Sequence, residues 1–320
     1  MRICVLGKRG SIIGWLDGAV AAWREAGHAV LPAIFRDARL HPALERALFS
    51  EVLGAPRAAA LARRVAEFAP DLIVAIDAFS TPPSLLRRLR ATPGLPAPFG
   101  WVGDTFGAYA RERAPHFAGI GYTDSGLVAL HAEMGLAAEA FYLPHAARPM
   151  PDDVSAGARA EKLIFVGNPT PQRLATLAAL REPVVLYGPG WGDFRDGVHE
   201  AHVERVSPER LGALYRGHTG VLNMRNETHV LAGLNQRNFD PFLAGAAVAT
   251  DPQPDLQRCF APGTEVLVWR EPAEIDAISL RLRREPGWAA VIAARGRRRV
   301  LAEHTYAARL ATLARLARVA

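Results

Sequence analysis

The sequence is almost without lysine and cysteine. Lys8 and Lys162 are its only ammonium groups, and Cys4 and Cys259 its only thiols, far apart and each in an apolar or helical context. Two such cysteines leave no disulfide framework and fit inert thiols in a reducing cytoplasm. No apolar run approaches the roughly 18 residues a membrane span needs. The opening Arg2-Ile3-Cys4-Val5-Leu6-Gly7 reads as a strand entering a glycine turn and not as a signal peptide. A soluble, cytoplasmic protein is expected.

What is present points to two cores. Half of the 320 residues are hydrophobic, enough to fill two α/β domains of roughly 150 residues each without disulfides or metals. The net charge of +6 comes from arginines spread along the whole chain. Their densest cluster, Arg295-Gly-Arg-Arg-Arg299, lies in a helical stretch and reads as a solvated helix face. That spread disfavours nucleic acid, whereas an anionic substrate or peripheral contact with a membrane surface would also account for the excess.

The punctuation is that of alternating strands and helices. Ile3–Leu6, His28–Leu31, Leu72–Ile76, Pro98–Val102 and Gly119–Thr123 read as strands, with helices at 16–26 and 58–68 and a third capped by Asp124. The rhythm restarts with strands at 163–166, 184–187, 220–222, 247–250 and 266–269. Helices are expected at 171–180, 208–215, 239–243 and around 255–259, with a helical tail from Ala273. Continuous apolar strands imply parallel sheets covered on both faces. The expected architecture is α/β, two doubly wound Rossmann-like domains at 1–147 and 163–303. A Pro- and Asp-rich linker at 148–162 joins them, and a final helix at 304–320 is expected to cross back to the first domain.

Ligands of open parallel sheets bind beyond the carboxyl ends of strands. In the second half these positions hold Gly167-Asn168-Pro-Thr170, Gly188-Pro-Gly-Trp191 and Asn223 to Asn226, with Arg173 one turn into the first helix. Glycine lets a phosphate approach the backbone, and helix N-termini offer unpaired N–H groups; ordinary turns favour the same residues. The sharpest segment is Leu234-Asn235-Gln236-Arg237-Asn238-Phe239-Asp240, followed by Gly245 and a buried strand. Arg237 has the planar fork that suits a pyrophosphate, and Asp240 could accept two ribose hydroxyls or simply cap a helix and pair with Arg237.

The stretch from Leu163 to Arg309 resembles the CgeB-like, spore-maturation-type members of the group 1 glycosyltransferases. The resemblance runs in order through Val166-Gly167-Asn168 with Arg173, then Tyr187-Gly188-Pro-Gly-Trp191, then Asn235-Gln-Arg237-Asn-Phe239-Asp240 with Gly245. It continues through Phe260-Ala-Pro-Gly263-Thr-Glu265 and His304-Thr305-Tyr306 with Arg309. The motif acid is usually Glu and is Asp240 here. The resemblance implies a GT-B enzyme, two domains across a cleft, whose carboxy-terminal domain holds a nucleoside diphosphate sugar as co-substrate. Arg237 would face the diphosphate and Asp240 the ribose, with Gly167, Asn168, Arg173, Tyr187, Gly188, Trp191 and Asn235 around the nucleotide; His304-Thr-Tyr would be structural. The absence of an Asp-x-Asp motif agrees with the metal-independent habit of such enzymes, arginines and helix N-termini meeting the charge of the departing phosphate.

The first half is expected to take the acceptor, whether saccharide, lipid or protein. Gly7-Lys8-Arg9-Gly10-Ser11 follows the first strand but is neither a Walker loop nor a full G-x-G-x-x-G. Asp77, Asp104 and His145 all follow predicted strands, and Asp104 is the first choice for a base that deprotonates an acceptor hydroxyl. Turn or capping roles for the aspartates, and a plain loop role for His145, stand beside that reading. Inversion and retention both remain open, as do a catalytically inactive nucleotide-sugar-binding module or scaffold in surface-polysaccharide assembly and a sugar-nucleotide epimerase of the same fold.

Overall fold

The computed structural model describes residues 1–9, 14–37, 55–150 and 160–318. These divide into two compact units, Met1–His145 with Tyr306–Ala320, and Ala146–Thr305. Most of the expected linker, residues 151–159, lies outside the described residues, as do Gly10 and Ser11.

The first unit is built on β1 (Arg2–Arg9), β2 (Ala29–Asp37), β3 (Leu72–Ile76), β4 (Phe99–Val102), β5 (Gly119–Tyr122) and β6 (Glu139–Tyr142). They pair in parallel in the order β2-β1-β3-β4-β5-β6. Helices α1 (Trp15–Glu25), α2 (Ala55–Phe68), α3 (Pro83–Ala91) and α4 (Ser125–Glu133) make the crossovers. Every residue of β3, β4 and β5 is buried, as a sheet covered by helices requires. Asp124 caps α4 by accepting from the Gly126 and Leu127 amides, the role its position predicts.

The second unit repeats the plan with β7 (Ala160–Val166), β8 (Val184–Tyr187), β9 (Glu200–His202), β10 (His218–Asn223), β11 (Val248–Thr250) and β12 (Leu267–Val268). Its order, again all parallel, is β12-β11-β10-β7-β8-β9. Its helices are α5 (Pro171–Ala178), α6 (Pro208–Arg216), α7 (Pro272–Arg284) and α8 (Pro286–Glu303); α9 (Tyr306–Ala317) belongs to the first unit. Proline stands in the first turn of α3 and of α5 to α8, where its missing N–H costs nothing and its fixed φ fits the helix. Each sheet is therefore doubly wound, and each has a switch point where the strand order reverses: β1/β3 in the first, β7/β10 in the second.

Several boundaries differ from the sequence reading. Strand β2 runs on to Asp37 through Pro32, tolerated because β2 is an edge strand whose missing N–H leaves no ladder partner wanting. The short edge strands β6 and β9 and the arginine-rich α3 carry no long apolar run, and sequence pattern alone passes over them. In place of one helix at 239–243 there is a 3₁₀ turn at Gln236–Asn238 followed by a helical turn at Asp240–Leu243.

Close packing in the second unit depends on Gly296 of α8, where a Cβ would lie 2.1 Å from Phe242 Cε1. Gly296→Ala is expected to destabilise the protein by about 1–3 kcal/mol through overpacking, read as a lowered thermal midpoint; an unchanged midpoint would refute this contact.

Candidate functional site

The switch point of the second sheet gathers the arginines. Thr170 caps α5 through the Arg173 amide, which fixes the first turn and sends Arg173 back under the end of β7. There its Nη1 donates to Asn168 O at 2.8 Å and its Nη2 to Met224 O at 2.8 Å. Arg237, on the 3₁₀ turn, donates through Nη1 to Val166 O at 3.1 Å, through Nη2 to Met224 O at 3.4 Å and through Nε to Asn223 Oδ1 at 3.0 Å. Both guanidinium carbons sit 5.1 Å from the Phe165 ring centroid. Among the described residues neither arginine forms an ion pair; only carbonyl and amide oxygens hold them. Burial, aided by the neighbouring Arg237 charge and opposed by Asp251, lowers Arg173 to about 9. Burial also lowers Arg237. Two like charges held together, with no ion pair among the described residues and the field of Asp251 opposing them, make a focus for an anion.

The surrounding side chains brace that focus. Asn223, fully buried at the end of β10, donates to Asn238 Oδ1 and Thr250 Oγ1, both at 3.0 Å, and accepts from Asn235 Nδ2 at 3.0 Å. Asn235 Oδ1 accepts the Arg237 amide at 3.0 Å. Asn238, Thr250 and Asp251 were not singled out from sequence. Thr250 and Asp251 stand at the end of β11, by the same rule that pointed to Asn223, whereas Asn238 lies on the 3₁₀ turn beside Arg237. Gly188 is demanded by space, since a Cβ there would lie 2.4 Å from the Gly167 carbonyl oxygen. Gly167 itself leaves room for Arg237, whose Nη1 would be 3.1 Å from an added Cβ.

Three of the residues expected around the nucleotide are engaged elsewhere in the protein. Trp191 has no exposed surface, and its indole N–H donates to Gly167 O at 2.7 Å, so it braces the glycine turn from behind. Tyr187 is buried, with its ring stacked on His202 at 4.3 Å and 10°. Asp240 is 1% exposed, and its carboxylate accepts from the Arg148 amide at 2.8 Å, Arg148 Nη2 at 3.0 Å and Gln236 Nε2 at 2.6 Å. Burial pushes its pKa up and Arg148 pulls it back. Both oxygens are engaged and the carboxylate has almost no exposed surface to offer a ribose, and its pairing partner is Arg148 and not Arg237.

In the first unit, Asp77, Asp104 and His145 come together. With Lys8, Trp15, Leu16, Ile76 and Gly103 they line a cavity of about 80 Å³ at the carboxyl ends of β1, β3 and β4. Asp77 adopts the left-handed region (φ 54°) and is held by Lys8 Nζ at 2.9 Å across the β1/β3 switch point. Asp104 is exposed. His145 is buried, its ring 4.9 Å from Trp15, its carbonyl accepting from Arg309 Nη2 at 2.9 Å. Gly103 makes that packing possible, because a Cβ would lie 2.9 Å from Trp15 and 3.2 Å from His145.

Burial, reinforced by Arg309, drives the His145 pKa down to about 3. So weak a base is a poor acceptor for a hydroxyl proton near neutral pH, and the buried Nδ1 of His145 has no hydrogen-bond partner among the described residues. The same shift has a stability consequence. Folded His145 stays neutral while the unfolded chain binds a proton near pH 6.5, so this stabilisation is whole above about pH 6.5 and is lost as pH falls towards 3. Relative to His145→Gln, the parent should lose on the order of 1–2 kcal/mol between pH 6.5 and 5 in denaturant titrations. Parallel pH profiles would show that His145 is not held neutral.

Among the described residues, no helix is long and apolar enough to cross a membrane. Residues 172–315 match the family described as glycosyl transferase-like. No curated protein matches the chain by sequence. Among solved structures, sucrose-phosphate synthase from Thermosynechococcus elongatus superposes with a TM-score of 0.66 at 13% identity, covering 99% of this chain and 98% of that one. Anabaena Alr3699/HepE, in complex with UDP and glucose, gives 0.64 at 13% identity and 98% of each chain. A glycosyltransferase from Rickettsia africae gives 0.64 at 8% identity and 98% of each. At such identities the likeness shows the fold, which is GT-B, and residues 172–315 are similar to the glycosyl transferase-like family.

Proposed function

We propose that this GT-B protein, glycosyl transferase-like over residues 172–315, moves a sugar from a nucleoside diphosphate donor to an acceptor hydroxyl without a divalent metal. The observation that carries this reading is the pair Arg173 and Arg237 at the β7/β10 switch point, two guanidiniums with no carboxylate in contact among the described residues. The solved relative with UDP and glucose supports a nucleotide sugar as co-substrate, with the sugar a hexose. The ordered motifs from Val166 to Arg309 support placement among the CgeB-like members, in the cytoplasm.

In this reading the arginines hold the diphosphate and stabilise it as it departs from the anomeric carbon, through an oxocarbenium-like state. Asn223 and Asn235 hold Arg237 in place, and Trp191 and Gly188 shape the turn that admits the phosphates. On the first unit, Asp104 takes the proton of the acceptor hydroxyl, while Asp77 is neutralised by Lys8.

Calorimetry with UDP, GDP, dTDP and ADP, with and without EDTA, tests the proposal. One or more should bind with the same affinity in both conditions. Loss of all binding in EDTA would overturn metal independence, and no binding in either condition would overturn the donor site.

A further inference from the structure

The segment Asn235–Asp240 faces two ways. Arg237 points to the ends of β7 and β10. Gln236 and Asp240 point instead to the backbone by which the chain enters the second unit. Gln236 Nε2 donates to Ala146 O and to Asp240 Oδ1, both at 2.6 Å. Asp240 accepts the Arg148 amide and the Arg148 guanidinium. The entering segment in turn lies along the leaving one: the Ala147 amide donates to His304 O at 2.7 Å, and Ala147 and Thr305 form a parallel bridge. Phe239, between the two motif residues, packs its ring 5.2 Å from His304, whose Nε2 donates to Cys259 O at 3.0 Å. Four functions thus sit within five residues: a grip on the entry, a cation at the switch point, a ring against the exit and a second grip on the entry.

We infer that Gln236 and Asp240 are positioning residues, which lock the Arg237-bearing turn to the segments at 146–148 and 304–305, so that a diphosphate at Arg237 stiffens both. The inference rests on the reading that Arg237 meets the diphosphate. It differs from a ribose role in what each contact needs. A ribose ligand has a free accepting oxygen, whereas Asp240 is sealed among three donors. Its shorter side chain suits this place, close to the Arg148 amide. A turn held at both ends against the backbone has little freedom of its own, so order gained at Arg237 passes to Ala147 and Arg148.

Hydrogen exchange followed by mass spectrometry on peptides covering 141–148, with UDP, 2′-deoxy-UDP and inorganic pyrophosphate as probes, tests this. In the parent, UDP and pyrophosphate should each slow exchange there. In Asp240→Asn, exchange without ligand should quicken about tenfold, the scale of one lost hydrogen bond to a charged group. UDP should no longer slow it, and the ratio of UDP to 2′-deoxy-UDP affinities should equal the parent's. Arg148→Gln should behave as Asp240→Asn does. A merely structural role would quicken exchange but leave the slowing by UDP intact, which would overturn the coupling. If Asp240→Asn erases discrimination between UDP and 2′-deoxy-UDP while exchange stays at the parent's rate, Asp240 is a ribose ligand and the inference fails. Should Asp240→Asn not fold, Gln236→Met, which cuts the contacts to Ala146 O and Asp240 Oδ1 but leaves the Arg148–Asp240 pair, should give a smaller quickening; parent-like exchange in that variant would refute the anchor. If the parent binds no diphosphate, the donor reading fails, and the ligand-free rates alone decide the anchor.

Discussion

Arg237→Ala is expected to weaken nucleoside diphosphate binding by about 1.5–3 kcal/mol, roughly 10- to 150-fold, the worth of hydrogen bonds to a charged group. Arg173 and Arg237 share the Met224 carbonyl and the Phe165 ring, so they form one charged unit, and their deletions should not add. Removing either leaves the other less opposed by like charge and therefore better able to remain cationic. Arg237→Lys keeps the charge but not the fork; it should retain part of the affinity while losing the contacts to Val166 O and Asn223 Oδ1. Titration calorimetry on variants whose circular dichroism matches the parent's checks this. Arg237→Ala with parental affinity would place the diphosphate elsewhere.

The largest effect is expected at Asp104. Asp104→Asn should leave donor affinity unchanged, because the arginine pair lies on the other unit, yet lower transfer by about 10²–10⁴-fold, the range for loss of a positioned base. Three groups at the β1/β3/β4 ends compete for that role, and geometry separates them. His145 is held neutral far below the working pH. Asp77 is spoken for by Lys8. Asp104 lies exposed among the residues that line the cavity, where an acceptor can reach it. Asp77→Asn, which breaks only a half-exposed pair, should cost little stability and less activity than Asp104→Asn. If transfer survives Asp104→Asn nearly intact, the reaction needs no base from this unit and Asp104 is a turn residue. A parent that binds donor but neither transfers nor slowly hydrolyses it would be a binding module.

Particular residues show where sequence reasoning sufficed and where it stopped. Strands β3 and β8 are apolar at every position, and burial on both faces is the only economical fate for such a run; their bounds were readable to the residue. Arg173 and Arg237 were readable as cations after strands, because in parallel sheets the position after a strand faces the ligand end. Asp240 was not. Its neighbour Arg237 is three residues away in sequence, and local pairing is the natural expectation, but the turn sends the two side chains in different directions. The partner that captures Asp240, Arg148, is 92 residues distant. Trp191 misled for a related reason. An aromatic beside glycines suggests a stacking surface, while the fold turns the ring inward to serve the Gly167 carbonyl.

The sequence by itself determined the two βα repeats, the parallel sheets and the ends of the strands at which chemistry collects. These follow from short-range causes: the period of apolar residues, proline at helix starts, and glycine where backbone must approach backbone. Only the tertiary structure decided which charges meet. Whether a carboxylate is a ligand or a buried anchor, and whether a histidine is a base or a neutral filler, depends on the desolvation and the long-range partners that each side chain acquires on folding. Both are sums over atoms brought together from distant parts of the chain, and no local pattern records them. Asp240, buried against Arg148, and His145, buried beside Trp15, owe their surroundings to that.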